Sequence, residues 1–356
     1  MVRRLSTNLI LRPEDVPPSR DDWEVIGTFN PGAVRYGDDI VLLVRVAERP
    51  TEQRAGWIAL PRWSSDDEFA IDWVRNDELE QIDPRVVRFK SDGRVRLTFL
   101  SHLRVAVSRD GRRVDRICEG AIRPTAPWEE FGVEDARITP LDGRFYITYV
   151  AVSRHGPASA LASTDDFQTF MRHGIIFCPE NKDVVLFPKR IGERYIAIHR
   201  PVGGTPFSSP QMWIAESRDL VHWGRHRHMF CGHATWEAGR VGAGTPPHDL
   251  PHGWLEIYHG NSGASDKGKV GAYSGGAMLL DSEDPGRVLG VGGEPILRPE
   301  LNFETEGFVA NVVFPTGVVF EDDRLLLYYG ASDKYTAVVE FAVGDVLQAI
   351  DRRLGR

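Results

Sequence analysis

Short runs of apolar, branched and aromatic residues recur along the chain, each preceded by a polar turn. In six places a turn that contains Gly or Asp stands directly before such a run, which then covers residues 40–46, 95–100, 145–150, 195–199, 254–259 or 325–329. Runs of this composition after Gly or Asp turns are typical of β-strands. Helical periodicity is scarce, and the clearest example is a short C-terminal helix near 345–353, where Val346, Leu347 and Ile350 share a face. The pattern therefore predicts an all-β protein.

A second motif repeats at a longer interval. Ala-x-Ser/Thr-x-Asp begins at Ala106, Ala162 and Ala215, with spacings of 56 and 53 residues. Four short strands and their turns need roughly this length, which favours a β-propeller over a sandwich. Six turn-plus-strand units can be counted but the sharper motif occurs three times, so counting leaves the number of blades open.

The segments between these units contain no linker rich in Gly, Pro and Ser, so we expect one catalytic domain over residues 1–356. Residues 61–82 are polar and irregular, and they are predicted to form an insertion or long loop. Residues 242–252 contain Pro246-Pro247 and are also predicted to form a loop, because proline cannot occupy a central strand.

Charge and cysteine content narrow the function classes. The net charge of −8 argues against nucleic acid or an anionic membrane surface as a partner, since both require a basic face. Cys118, Cys178 and Cys231 are odd in number and lack metal-ligand spacing, which fits reduced thiols and no metal site. No run approaches the ~18 apolar residues that a membrane span needs. The default expectation is a cytoplasmic enzyme.

The strongest candidate for chemistry is the segment 131–139, which contains Glu134, Asp135 and Arg137 just ahead of a predicted strand. A loop that enters a strand can hold a catalytic acid in one place. Arg137 could keep one of the two carboxylates ionised or orient its neighbour. A surface salt bridge would have the same sequence, so this motif alone does not distinguish a catalytic site from a salt bridge.

Polar groups at equivalent points of successive propeller units would converge on a central funnel, lined by the first strand of each unit. The residues that project from the units in this way are Asn30, Arg45, Asp135, Lys182, Arg200, His259 and Asp333. Several cations that face carboxylates suit an anion and a polyol bound together, because Arg grips phosphate through two hydrogen bonds and Lys adds a point charge. Each residue also has an ordinary explanation, such as an Arg45–Glu48 pair or a buried core histidine at His259.

Together, the motifs resemble glycoside hydrolase family 130 along nearly the whole chain, from about residue 5 to 348. The motifs that carry the resemblance are Asn30-Pro31-Gly32-Ala33, residues 42–48, 132–138 and 181–188, His199-Arg200-Pro201, residues 253–260 and 328–333. Residues 101–106 and 13–16 look most like those of members that act on β-1,2-linked mannosides. Two small departures, Ala136 where proline is frequent and Ser332 where alanine is common, remove no charged group.

The resemblance implies a five-bladed β-propeller that phosphorolyses β-mannosides with inversion and releases α-mannose 1-phosphate. It implies Asp135 as the general acid, in some members through the mannose 3-hydroxyl. It implies Lys182, Arg200 and His259 as phosphate ligands, and Asn30, Arg45 and Asp333 around the sugar at subsite −1. His102 and Arg104 would face subsite +1. Inorganic phosphate would be a co-substrate, with no cofactor.

Four points stay open at this stage. Hydrolysis of the same linkage would need a second carboxylate as base, and Glu237 is the first candidate. A non-catalytic sugar-binding propeller would not need Asp135, Lys182 and Arg200 together. The +1 acceptor, which residues 49–82 and 201–210 would shape, and the oligomeric state are also undecided, although family members often form homo-oligomers.

Overall fold

β-Strands form most of the chain in the computed structural model, which describes residues 2–65, 68–202, 207–263 and 270–350. The only α-helices in these ranges are the short α1 (Asn302–Thr305) and α2 (Val343–Gln348). The prediction of an all-β protein is confirmed. The C-terminal helix begins at Val343 rather than Asp345, and residues 351–353 lie outside the described ranges.

The strands build five larger sheets, which we number I to V along the chain. The first strand, β1 (Ser6–Leu11), belongs to sheet V. Sheet I begins with β2 (Trp23–Tyr36) and β3 (Asp39–Pro50). The chain then forms the inserted strands β4 (Trp57–Ser65), β5 (Glu68–Arg75), β6 (Leu79–Asp83), β7 (Val86–Phe89) and β8 (Val95–Leu97), before β9 (Leu100–Ser108) and β10 (Arg116–Ile122) complete sheet I.

The other four sheets follow in chain order. Sheet II holds β11 (Val133–Leu141), β12 (Arg144–Ser153), β13 (Gly156–Thr164) and β14 (Met171–Phe177); sheet III holds β15 (Asn181–Leu186), β16 (Tyr195–Pro201), β17 (Met212–Ser217) and β18 (Trp223–Phe230). Sheet IV holds β19 (Arg240–Ala243), β20 (His248–Leu250), β21 (Gly253–Asn261), β22 (Tyr273–Leu280) and β23 (Val288–Val291); sheet V holds β24 (Val313–Glu321), β25 (Arg324–Ala331), β26 (Tyr335–Ala342) and β1. Pairing within every sheet is antiparallel.

The six turn-plus-strand units of the sequence have a simple structural meaning. Five of them coincide with the strand that is second in the pairing order of each sheet, namely β3, β12, β16, β21 and β25. The sixth, residues 95–100, falls on β8 of the insertion and the start of β9. The second strand stands out in sequence because it is buried on both faces, so that its apolar run is nearly continuous.

Two predicted loops contain strands instead. Residues 61–82 hold the end of β4, all of β5 and most of β6, and β4 pairs with β5 from Trp57–Arg75 to Ser65–Glu68. The insertion was predicted, but its β-strands were not, because they are half-exposed and mix charged with apolar residues. Residues 242–252 include the end of β19 and the three-residue β20, and the prolines fall between them.

The apolar core lies between neighbouring sheets. One cluster joins sheets I and II through Leu43 and Ile147, and another joins sheets V and I through Leu326 and Leu42. Equivalent clusters lie between II and III, III and IV, and IV and V. Each sheet therefore packs against its neighbours in the chain, and sheet V also packs against sheet I.

The first strands of neighbouring sheets contact one another. Thr316 on β24 donates a 2.9 Å hydrogen bond to the Pro31 carbonyl on β2, and Thr139 on β11 donates one of 3.4 Å to the Leu186 carbonyl on β15. Gly32 on β2 lies so near β11 that a Cβ there would be 2.9 Å from the Ala136 carbonyl oxygen. Side chains from these strands can therefore share one central space.

The Ala-x-Ser/Thr-x-Asp motif marks the turn after the third strand of sheets I, II and III. In sheet II the Phe167 amide donates to Thr164 Oγ1 at 3.0 Å, and the Gln168 amide donates to Asp166 at 2.8 Å. The Leu220 and Val221 amides make the same contacts to Ser217 and Asp219 in sheet III. Ser/Thr and Asp side chains suit this role because they bond to nearby backbone amides.

Candidate active site

A left-handed residue interrupts the first strand of three successive sheets. Asn30, Asp135 and Asp183 have φ of 49°, 52° and 56°, and each lies where pairing with the second strand shifts register. Asn and Asp tolerate this conformation better than other residues with a side chain, and a bulge turns a side chain away from the regular alternation. The distortion brings these three polar groups to the central space.

The central space forms a cavity of about 290 Å³, which we call the polar cavity. Its charged and amide-bearing lining consists of Asn30, Arg45, Arg85, Glu134, Asp135, Glu180, Lys182, Asp183, Arg200, Arg240 and Asp333. Apolar side chains such as Phe99, Val309 and Phe314 cover other parts of the wall. Six of the residues predicted from sequence are therefore brought together here: Asn30, Arg45, Asp135, Lys182, Arg200 and Asp333.

Asp135 lies at the centre of one group of contacts. Its Oδ1 accepts hydrogen bonds from Asn30 Nδ2 at 2.8 Å and from Arg45 Nη1 at 3.0 Å. Arg45 Nη2 also donates to Glu134 at 2.6 Å, and its Nε donates to Ser101 Oγ at 3.1 Å. Burial raises the pKa of Asp135, but Arg45, Arg137 and Lys182 outweigh burial and hold that pKa below its usual range.

A second group gathers around Asp183 on β15. Arg200 Nη1 lies 2.8 Å from Asp183 Oδ2, His259 Nε2 lies 3.4 Å from the same oxygen, and Arg137 Nη2 donates to Oδ1 at 3.3 Å. Despite full burial, these groups hold the Asp183 pKa well below its usual range. Asp183 thus fixes two arginines, while Lys182 beside it reaches to within 3.7 Å of Glu134.

The insertion contributes one charged residue to the cavity, beside the apolar Val86 and Leu97. Arg85, between β6 and β7, donates to Asp333 at 3.3 Å and is paired with Asp83 at 3.1 Å. Burial raises the pKa of Asp333, and the neighbouring Asp135 and Glu134 act in the same direction, whereas Arg85 and Arg45 lower it. Asp333 therefore keeps a proton at a higher pH than an ordinary aspartate does.

Three predicted site residues do not line the polar cavity. His259 is fully buried behind Arg200, 3.1 Å from its Nη1, and burial lowers the His259 pKa to about 3. His102 is buried on the other face of sheet I, 3.8 Å from Glu48, and its pKa is also lowered to about 3. Arg104 donates to the Cys118 and Pro17 carbonyls, so neither it nor His102 is positioned against the cavity.

Two further carboxylates from the sequence analysis have partners that the sequence did not show. Glu134 contacts Arg45 and Lys182, whereas Arg137 contacts Asp183 and the Asp135, Ala243 and Gly244 carbonyls. Glu237 lies outside the polar cavity and accepts hydrogen bonds from the Tyr258 hydroxyl and the His233 and Ala234 amides.

The Glu237–Tyr258 pair is one of three equivalent arrangements. Glu129 accepts from Tyr149 in sheet II at 2.8 Å, and Glu304 accepts from Tyr329 in sheet V at 2.6 Å. In each case the second carboxylate oxygen accepts the backbone amide of the residue four positions earlier, just before the short helical turn that contains the glutamate. Repetition in three sheets identifies Glu237 as a structural residue.

Sequence reasoning missed Arg85, Arg240 and Asp183 as cavity residues. The sequence does contain a signal for Asp183. It directly follows the charged Lys182, just as Asp135 directly follows the charged Glu134. Arg85 and Arg240 carry none, since each stands in a polar segment whose course depends on tertiary contacts. Among the described residues, no group of three or more His, Cys, Asp and Glu side chains could hold a metal ion.

Comparison with known proteins agrees with the motifs. The model of the family described as beta-1,4-mannooligosaccharide phosphorylase matches residues 73–352. The chain belongs to glycoside hydrolase family 130, as its motifs indicated. None of the helices in the described ranges is long and apolar enough to cross a membrane.

Individual relatives cover most of the chain. A beta-1,2-mannobiose phosphorylase from Listeria innocua is 36% identical over 98% of this chain and 98% of its own length. Its complex with beta-1,2-mannobiose superimposes with a TM-score of 0.89, at 35% identity, over 97% of this chain and 99% of that chain. A 1,2-beta-oligomannan phosphorylase from a Thermoanaerobacter species is 36% identical over 70% of this chain and 81% of its own length.

Proposed function

We propose that this protein phosphorolyses β-1,2-linked mannosides with inversion and releases α-mannose 1-phosphate. The observation that carries the proposal is the division of the polar cavity into two parts. Asn30, Arg45, Asp135 and Asp333 offer hydrogen bonds to a sugar, whereas Lys182, Arg200 and Arg240 offer positive charge to an anion. The full-length likeness to a beta-1,2-mannobiose phosphorylase supports the substrate class.

In this mechanism, a phosphate oxygen attacks the anomeric carbon from the face opposite the leaving group. The bond from that carbon to the glycosidic oxygen breaks, and the oxygen receives a proton that originates from Asp135, directly or through the mannose 3-hydroxyl. Lys182, Arg200 and Arg240 hold the phosphate and offset charge as the oxocarbenium-like transition state forms. Inorganic phosphate is a co-substrate in this scheme, and no cofactor is required.

Asp135 must carry a proton when the bond breaks, although its pKa is low in the free protein. Binding of phosphate would add negative charge beside Lys182, one of the groups that lower this pKa. An added anion favours the protonated carboxyl. We therefore propose that phosphate binding raises the pKa of Asp135 and prepares it to act as the acid.

His259 has a supporting role in the proposal. Because it is buried and bonded to Arg200 and Asp183, it would orient the arginine rather than contact phosphate.

The cyclic packing of five sheets supports a five-bladed β-propeller, with the polar cavity on its axis. Cys118, Cys178 and Cys231 are all unpaired, which supports a reducing, cytoplasmic location.

The decisive experiment is incubation of the purified protein with β-1,2-mannobiose, with and without phosphate. We expect mannose 1-phosphate and mannose in equal amounts, and no reaction without phosphate. Free mannose released at the same rate in both cases would replace the proposal with hydrolysis. Glu180, the exposed carboxylate at the cavity wall, would then be the base to test.

A further inference from the structure

A second concave surface lies beside the polar cavity and has no part in the chemistry described above. It is a groove of about 330 Å³ between the end of β3 and the inserted strands, which we call the tryptophan groove. Its walls include Arg49, Arg54, Trp57, Trp73, Gln81 and Thr98.

Two tryptophans form one side of the groove. Trp57 pairs with Arg75 and Ala59 pairs with Trp73, so the two indoles are diagonal neighbours on the same face of the β4–β5 hairpin. Trp57 is 43% exposed, and together with Trp73 it forms apolar surface rimmed by polar residues, which is a mark of a ligand-binding groove. The Arg54 guanidinium lies 4.1 Å from the centre of the Trp73 ring and covers it partly.

The charges of the groove are already neutralised. Arg49 Nε lies 2.7 Å from Glu24, and Arg54 Nε lies 2.8 Å from Glu52. The groove thus differs from the polar cavity, where cations are available to an anion. Flat aromatic surface with hydroxyl, amide and paired guanidinium groups around it suits a neutral polyol, because apolar sugar faces pack on the rings and hydroxyls bond at the edges.

The groove and the polar cavity share a thin wall. Arg85, Val86 and Leu97 face the cavity, whereas Pro84 and Thr98, their neighbours in sequence, line the groove. The Thr98 amide donates to the Arg85 carbonyl at 3.0 Å, so the wall is one pair of hydrogen-bonded segments thick. The groove therefore lies directly beside the cavity, on the other side of this wall.

We propose that the tryptophan groove binds the distal mannosyl units of a β-1,2-mannooligosaccharide whose reacting end occupies the polar cavity. This inference rests on the proposed function, since it takes the mannoside as the substrate class. The insertion would then set the preference of the enzyme for longer mannooligosaccharides. Trp57 would be the main contact, and Arg54 and Gln81 would donate hydrogen bonds to sugar hydroxyls.

The test compares β-1,2-mannobiose and β-1,2-mannotetraose as substrates for the full-length protein, at saturating phosphate. Trp57→Ala should lower kcat/KM for the tetrasaccharide about 5- to 10-fold, the size expected for one lost aromatic contact, and leave that for the disaccharide unchanged. Trp57→Phe should restore most of the loss. Trp128→Ala is the matched control, because Trp128 is 41% exposed and lines neither the groove nor the cavity.

Binding of mannotetraose, measured by calorimetry without phosphate, gives a readout that does not depend on turnover. It should weaken by the same factor in Trp57→Ala. Equal losses for both substrates, or no loss for either, would overturn the groove proposal while leaving phosphorolysis intact. If the wild type does not cleave mannobiose, the proposed function fails, and unchanged tetraose binding in Trp57→Ala would then overturn the groove as well.

Discussion

The amide of Asn30 donates a 2.8 Å hydrogen bond to Asp135 Oδ1, although the two residues are 105 positions apart in the chain. Both have left-handed backbones at a register shift of the first strand in their sheets. The contact therefore depends on two matching irregularities in neighbouring sheets. It also keeps Asp135 in one orientation, which a proton donor requires.

Replacement of this carboxyl tests its assignment as the acid. Asp135→Asn should lower kcat for phosphorolysis by at least about 100-fold, because a positioned proton donor contributes that much or more. Circular dichroism should remain as in the wild type, since the amide has nearly the same shape. Glu134→Gln is the comparison, with a smaller loss expected because Glu134 acts on Arg45 and Lys182. Near-normal turnover in Asp135→Asn would reject the assignment.

Removal of cavity cations should act on phosphate rather than on the sugar. Lys182→Ala and Arg240→Ala should each raise KM for phosphate about 10- to 100-fold, because each loses charge-assisted hydrogen bonds of roughly 1.5–3 kcal/mol. KM for mannobiose should change far less. Lys189→Ala is the matched control, since Lys189 is exposed and pairs with Asp249 away from the cavity. Equal changes in both KM values would place these residues at the sugar instead.

Gly330 on β25 provides a test that removes no functional group. A Cβ at this position would lie 1.8 Å from Asn30 Oδ1 and 2.8 Å from the Asn30 backbone nitrogen. Gly330→Ala should therefore displace Asn30 from Asp135 and lower kcat about 10- to 100-fold, as misplacement by about 1 Å does. Gly344→Ala on α2, where a Cβ meets no atom within 4 Å, should leave kcat unchanged. Equal activity of the two variants would contradict the role of Asn30.

Buried histidines make the folded state sensitive to acid. Burial, with help from Arg123 and Arg104, lowers the pKa of His102 to about 3. Below pH ~6.5 the histidine binds a proton in the unfolded state but stays neutral in the folded state. Stability is therefore lost as pH falls from about 6.5 towards 3. The slope approaches 1.4 kcal/mol per pH unit for each such histidine, roughly.

Urea unfolding at a series of pH values between 8 and 5 checks this prediction. The slope of the unfolding free energy against pH reports how many protons are bound on unfolding. In His102→Gln this slope should correspond to about one proton fewer than in the wild type. Above pH 7 the two curves should run parallel, whatever their separation. Identical slopes over the acid range would show that His102 titrates normally in the folded protein.

The sequence pattern predicted the second strands well, because a strand buried on both faces leaves a continuous apolar run. It did not predict the inserted strands, since β5 and β6 have mixed, half-exposed faces. Cavity residues on register shifts, such as Asp135, were found through motifs. Arg85 was not found, because its approach to Asp333 depends on how the insertion folds over sheet I.

Glu237 shows a second limit of prediction from sequence, which is that the partner of a side chain is not visible. A glutamate next to a tryptophan in a polar segment has the composition expected for a catalytic base, and sequence alone does not show its partner. Tyr258 follows 21 residues later and is matched by Tyr149 and Tyr329 for Glu129 and Glu304. The correspondence becomes visible only when the sheets are compared in space, because spacing within each pair differs from sheet to sheet.

The pairing of β1 with β26 has a consequence for how the protein is made. Ser6 lies opposite Glu340, so the edge of sheet V joins residues that are 334 positions apart in the chain. Closing a loop of this length is entropically costly, and contacts so distant in sequence form late. Sheets I to IV can assemble during translation, whereas β1 must wait for β26. Chaperones and proteases would therefore meet β1 while it still lacks its partner strand.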